Sequence, residues 1–121
     1  MMDDVNFVLL QRALDGAALR HRVIAHNMAN VNTPGYHRQE VRFTEHLAAA
    51  LAAGDAEAIR SARFDVERAN DPAVRPDGNN VSLEREMGDL MKNSLVYNTV
   101  TQLLSAHIAG YRSAITGNTS S

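Results

Sequence analysis

The sequence predicts a mainly α protein: two long antiparallel helices, N- and C-terminal and coiled-coil-like, with a short irregular segment able to carry β-structure between them. Three observations predict it. Apolar residues recur at alternating steps of three and four at both ends of the chain. A sharply marked helix stop, Asn27 to Tyr36, closes the first of these stretches. The 121 residues include three phenylalanines, three tyrosines and no tryptophan, which favours helix-on-helix packing over an aromatic-rich sandwich core.

The first helix is expected over about Asp4 to Val31. Phe7, Leu10, Leu14, Ala17, His21, Ile24 and Met28 form an unbroken heptad seam with one polar member, His21. Asp3 and Asp4 sit where the helix dipole is positive, and Arg20, Arg22 and His26 lie nearer its negative end. Gly16 and Ala17, small and beside the seam, would let another helix approach closely.

The stop is overdetermined. Thr33 precedes a proline, whose ring pushes the preceding residue out of the α region. Pro34-Gly35 supplies the fixed φ and the positive φ of a type II turn. Asn27, Asn30 and Asn32 can satisfy the last helical carbonyls or take a left-handed cap. Past Tyr36 the period changes. Gln39 to Phe43 and Arg63 to Glu67 alternate like short strands, able to pair. Between them, Leu47 to Ala53 is alanine-rich and helix-prone, closed by Gly54-Asp55, and Ala56 to Ala62 is a second short helical piece. Asn70-Asp71-Pro72 and Arg75 to Asn80 read as loop by every turn rule. Residues 37–76 are expected to be a small, mobile, variable insertion. Residues 1–36 and 77–121 together would form the helical core domain.

Ser82 then reads as an N-cap, with Glu84 and Glu86 in the first turn. The second seam runs Leu83, Met87, Leu90, Ser94, Tyr97, Thr101, Leu104, Ile108, Tyr111 and Ile115, and Gly117 is a natural stop. At 1.5 Å per residue the two helices would be about 40 and 50 Å long, too long for a compact domain of this size. Leu9, Val23, Met91, Leu95, Val100 and Leu103 lie just off the seams and would stay wet in a lone hairpin. The missing burial is expected from other chains.

Little in the composition suggests chemistry. Fourteen acids against twelve bases give a formal charge of −2 with no basic block, so nucleic acid and acidic lipid are poor partners. Cysteine is absent. His21 and His26 are five apart, which does not place them on one face as an i, i+4 metal pair requires. His37, His46 and His107 are scattered, no serine sits in a Gly-x-Ser-x-Gly elbow, and no glycine run builds a phosphate loop. No enzyme, cofactor, metal or small-molecule substrate is expected. The start, Met1-Met2-Asp3-Asp4, is acidic where a secretory signal would be basic, and no apolar core with a cleavage site follows it. These features alone predict a cytoplasmic chain.

Ala29-Asn30-Val31-Asn32-Thr33-Pro34-Gly35-Tyr36, ending an amphipathic helix, resembles the signature of bacterial flagellar axial proteins: rod, hook and hook-associated subunits. Asp77 to Met87 followed by Asn93-Ser94-Leu95-Val96-Tyr97 is similar to the C-terminal region of the proximal rod proteins of the flagellar basal body, the FlgB type. The companion FlgC type usually shows an Arg-x-Tyr-x-x-Asn pattern in this helix, and this chain does not. The short length argues against hook and hook-associated subunits, which carry large inserted domains. The resemblance covers roughly residues 9–43 and 77–117. It departs at Ser82 and Asn32, where relatives commonly carry aspartate, and both replacements keep capping or turn ability.

The resemblance implies a structural rod subunit that transmits motor torque, exported through the flagellar type III gate with its N-terminus kept and destined for the periplasmic rod. Its implied partners are further copies of itself, FlgC-type rod subunits, a FliE-type adaptor, and the export gate and membrane ring at the rod base. The implied site residues are the turn motif (Asn27, Ala29, Asn30, Asn32, Thr33, Pro34, Gly35, Tyr36) and the apolar members of both seams as an assembly surface. A soluble cytoplasmic helical adaptor or export chaperone is the alternative from another class, although such a protein has no need of the turn at 30–36, and the companion proximal rod protein of the FlgC type is the alternative within the superfamily.

Overall fold

The computed structural model describes residues 4–72 and 75–117; the dipole role expected of Asp3 lies outside them. In chain order the elements are α1 (Val5–Ala29), β1 (Gln39–Arg42), α2 (Thr44–Ala52), α3 (Ala56–Arg60), β2 (Asp65–Arg68) and α4 (Leu83–Thr116). The predicted class holds: two long helices, and between them a two-stranded antiparallel sheet with two short helices. α1 starts one residue later than expected, because Asp4 is its N-cap and accepts from the Asn6 amide at 2.9 Å. It stops two residues earlier. Asn30 caps it at φ −102°, not in the left-handed region, and its side-chain amide donates to the His26 carbonyl at 2.8 Å. α4 begins on Ser82, whose hydroxyl accepts from the Arg85 amide, and ends on Gly117 at φ 68°.

The two long helices run antiparallel, touching at three points in reverse order, the first two of them hydrogen bonds. Asn27 bonds Glu86, Asn93 donates to the Ala17 carbonyl at 2.8 Å, and His107 lies 3.0 Å from Asp4. The line of contact differs from the one the spacing predicts. Leu83, Met87, Tyr97, Thr101 and Ile115 are exposed, while Glu86 and Asn93 are buried and Val100, Leu104 and His107 half-buried. The Glu86–Arg38 ion pair sets the start of the stripe one residue before Met87. A heptad pattern also drifts by about 20° per repeat on a straight helix. His21 points to solvent.

The largest apolar core is not in the helix seam. It lies on the other side of α1, where Val8 and Val23 meet Val41, Phe43, Leu47, Ile59 and Ala62 of the intervening segment. Val23, expected to stay wet, is therefore buried at 8 % exposure, whereas Met91 and Leu95 are 73 % and 69 % exposed. Gly16 admits a phenylalanine instead of a helix: a Cβ there would fall 2.7 Å from the Phe43 ring. Phe43 meets Phe64 edge-on at 5.6 Å. Two arginines of α1 clamp the aromatic pair from above. Arg12 lies over Phe64 and donates to the Ala62 carbonyl; Arg20 lies over Phe43 and donates to that of Val41.

In the sheet, Glu40 stands opposite Glu67. That like-charge pair is relieved by Arg38, 3.6 Å from Glu40, and Arg42, 3.2 Å from Glu67. Among the described residues no helix is long and apolar enough to cross a membrane.

Candidate functional site

The stop after α1 forms as its residues require. The Tyr36 amide donates to the Thr33 carbonyl at 3.2 Å and Gly35 takes φ 73°, a type II turn with glycine at the position that needs it. The turn does not stand alone. The Gly35 amide donates to the Asp77 carbonyl at 2.9 Å, and the Asn80 amide to the Tyr36 carbonyl at 3.3 Å. A Cβ on Gly78, itself at φ 84°, would sit 3.7 Å from the Gly35 Cα. Two glycine turns, one after α1 and one before α4, are thus stacked backbone on backbone.

Side chains lock the stack. Asn79 is fully buried, and its amide spans the carbonyls of Asn30, Val31 and Thr33 at 2.8–3.3 Å while its oxygen accepts from the Val81 amide at 2.7 Å. A residue from the far loop thereby satisfies carbonyls that the end of α1 leaves open. The Arg75 guanidinium donates to the Val31 carbonyl as well.

Asn27 has no exposed surface and uses its full hydrogen-bonding capacity. Its amide donates to the Gln39 carbonyl at 2.8 Å and to Glu86 at 3.2 Å; its oxygen accepts from the Gln39 amide and the Tyr36 hydroxyl, both at 2.9 Å. It therefore acts as a strand partner for β1 from within a helix. Because the Tyr36 proton goes to Asn27, the His26 Nδ1 at 2.9 Å from the same hydroxyl is the protonated nitrogen. Burial, together with the charge of Glu86, raises the Tyr36 pKa against the opposing pull of Arg38.

Arg38 and Glu86 form the charged centre, 3 % and 0 % exposed. The Arg38 Nε donates to Glu86 at 2.7 Å and one terminal nitrogen to Asp71 at 3.0 Å, with Asp89 at 3.6 Å. Burial alone would lower the arginine pKa; the bonds to Glu86 and Asp71 outweigh it and raise it. Asp71 shows the converse. Its slight desolvation is overcome by bonds from Arg38 and Arg85, which hold its carboxyl below the usual range. Asn80 joins the cluster by accepting from the Arg38 amide at 2.6 Å and donating to the Asp71 carbonyl. Arg38 is thus held between α4, through Glu86, and the loop that precedes α4, through Asp71 and Asn80.

Of the predicted turn residues, the structure brings Asn27, Asn30, Gly35 and Tyr36 into this clasp. Thr33 contributes its carbonyl, and its hydroxyl donates to the Asn30 side chain at 3.0 Å. Ala29, Asn32 and Pro34 face solvent. Of the predicted seam residues, Phe7, Ala17 and Ile24 are buried, and Leu10, Leu14, Met28, Leu90, Leu104, Ile108 and Tyr111 are half-buried. Leu83, Met87, Tyr97 and Ile115 are open to solvent. Arg38, Asp71, Glu86 and Asn93 were missed as structural centres. The one available signal was Glu86 in the first turn of a helix with an unpaired arginine shortly after the turn motif.

Among the described residues no group of three His, Asp or Glu side chains could hold a metal. Most acceptors and donors of the clasp are taken up by backbone groups and by one another; the Arg75 Nε is buried without a hydrogen-bond partner among the described residues. What the arrangement does is mechanical: it fixes the end of one long helix to the start of the other.

No family model matches the chain. Individual proteins do. The chain is similar to the flagellar basal body rod protein FlgB of Borrelia hermsii, with 31% identity over 122 residues covering 82% of this chain and 87% of the relative. It is similar to that of Aquifex aeolicus, at 34% over 84 residues covering 66% and 68%. The FlgB protein of Bacillus subtilis is 25% identical over 119 residues, covering 89% and 91%.

Proposed function

The chain belongs to the FlgB family of flagellar basal body rod proteins, and from that membership we propose that it is a subunit of the proximal rod which assembles by helix packing and passes motor torque along the shaft. As a basal-body rod protein it is a structural component of the flagellum. The finer reading adds a periplasmic position in the rod, reached through the flagellar export gate without a cleaved signal. It also adds partners: further copies, FlgC-type rod subunits, a FliE-type adaptor, and the gate and membrane ring at the rod base. We take residues 1–36 and 77–121 as the core domain of that subunit, with 37–76 as the variable insertion.

The observation that supports this reading is the clasp. The two stretches that resemble flagellar axial proteins lie some forty residues apart in the chain, and here they close on each other through Asn79, the Gly35–Asp77 bond and the Asn27–Glu86 pair. A torque-bearing subunit needs its two long helices joined rigidly at one end, and buried, hydrogen-bonded polar groups supply rigidity. The test is genetic. A strain lacking this gene should build no rods and should not swim, and the intact chain supplied in trans should restore both and appear in purified basal bodies. Normal swimming by the deletion strain would overturn the reading.

A further inference from the structure

We propose that the groove beside the α1–α4 contact, around Arg22 and Tyr97, is a carboxylate-binding site that receives an acidic side chain of a different protein in the assembly. The inference rests on the rod-subunit reading and names a contact which that reading leaves open.

Helical spacing builds the groove. His21 and Arg22 line it from α1, and Ser94, Tyr97 and Asn98, at steps of three and four, line it from one face of α4. The space between them is about 390 Å³. His21, Ser94 and Tyr97 are all polar members of the seams that the spacing predicts. Where they meet, the two helices part and leave a trough instead of closing on each other.

The lining offers donors and no acid. Arg22 has five N–H groups and Asn98 two, and the Ser94 and Tyr97 hydroxyls add one each. None of these side chains, nor His21, makes a hydrogen bond or ion pair among the described residues. The other flank of the same contact is different. The cleft on the β1 side is lined by Glu40 and Asp89 as well as by Arg38 and Arg85, and Asp71 and Glu86 complete the pairing there. Around Arg22 the positive charge has no such answer.

Asn93, which lines both flanks and is 4% exposed, adds a second observation. Its amide is given to the Ala17 carbonyl, which fixes which end of the side chain is the oxygen, and that Oδ1 is buried with no hydrogen-bond partner among the described residues. The peptide N–H of an incoming acidic residue is a donor of the kind it needs. A guanidinium pairs best with a planar, two-oxygen anion, and the oxyanion that a neighbouring protein brings is a carboxylate. The Tyr97 ring, 40% exposed, gives the aliphatic stem of such a side chain a surface to lie on.

Arg22 and Asn98 are exposed, so each can be altered without disturbing the packing. Arg22→Glu and Asn98→Asp both place a negative charge in the groove, and Arg22→Lys keeps the cation. The experiment supplies each variant in trans to the strain lacking the gene and counts rods in purified basal bodies. The wild-type chain and Arg22→Lys should restore rods, and each acidic variant should yield fewer by about tenfold or more, since like charges brought together at an interface repel. Selection for swimming should then return Asp or Glu changed to a neutral or basic residue in one other protein, and the same change should rescue both acidic variants. A merely structural defect in this chain would not be cured that way. Wild-type rod numbers in both acidic variants, compensation found only at other sites of this chain, or a change that rescues one acidic variant and not the other would each overturn the proposal. Failure of the wild-type chain itself to restore rods would bring down the rod-subunit reading and the proposal with it, so the two failures are distinguishable.

Discussion

Asn27 is the residue on which the clasp turns, since its one side chain bonds β1, Tyr36 and the first turn of α4. Asn27→Ala strands a buried strand amide and carbonyl and a phenol, and should cost about 2–4 kcal/mol in urea unfolding, because each stranded buried group costs about 1–3 kcal/mol. Asn32→Ala, on the exposed side of the same turn, should stay within about 0.5 kcal/mol of wild type. Asp71 ties the clasp to pH. Its folded pKa lies below the unfolded value, through Arg38 and Arg85 after a small opposing desolvation. Its contribution is therefore present above the ordinary aspartate range, about pH 4, and is lost as pH falls through the folded pKa. Thermal melts below about pH 4 should fall less steeply for Asp71→Asn than for wild type; parallel acid limbs would count against the pairing.

At the scale of the element, glycines separate packing from propensity. Gly16→Ala would bring a Cβ within 2.7–2.9 Å of the buried Phe43 ring, and the overpacking should outweigh the gain in helix propensity, leaving a net loss of about 1–2 kcal/mol. Gly88→Ala in α4 meets nothing within 4 Å and should stabilise by about 0.5–1 kcal/mol. Gly35 and Gly54 share a positive φ, at 73° and 69°, and neither has a neighbour near its Cβ. Valine at either should incur similar local strain. Only Gly35→Val displaces a turn bonded to Asp77 and stacked on Gly78, so faster amide exchange at Val81 should appear in that variant alone. Equal exchange in both would show the two turns to be uncoupled.

Much of the element pattern was legible in the sequence: Ser82 and Gly117 bound α4, Pro34-Gly35 makes its turn, and both alternating stretches are strands. What periodicity could not locate was the face. It counts apolar side chains, so it gave the seam to Met87 and Tyr97 and passed over Glu86 and Asn93. Those positions are buried because of partners at Arg38 and Ala17, 48 and 76 residues away in the chain, and no local window contains such information. The same blindness hid Val23, whose neighbours come from the intervening segment.

As a whole, the molecule is unequally finished. α1 is covered on one side by the apolar core and on another by α4. α4 buries only Glu86 and Asn93 of its 34 residues and leaves Met91, Leu95 and Ile115 in water. The sequence leaves the missing burial of both long helices to other chains. α1 has an intramolecular core to rest on, and the far half of α4 buries no side chain. The central claim is that the clasped end and α1 form a self-sufficient base, from which α4 extends as an unfinished surface for other chains. Hydrogen exchange on the dilute monomer, compared with assembled rods, tests it most directly. Amides of residues 5–29, 39–68 and 83–94 should be protected in the monomer, those of residues 100–116 should exchange freely, and the latter should become protected in the rod. Protection of residues 100–116 equal to that of α1 in a sample shown to be monomeric would contradict the account.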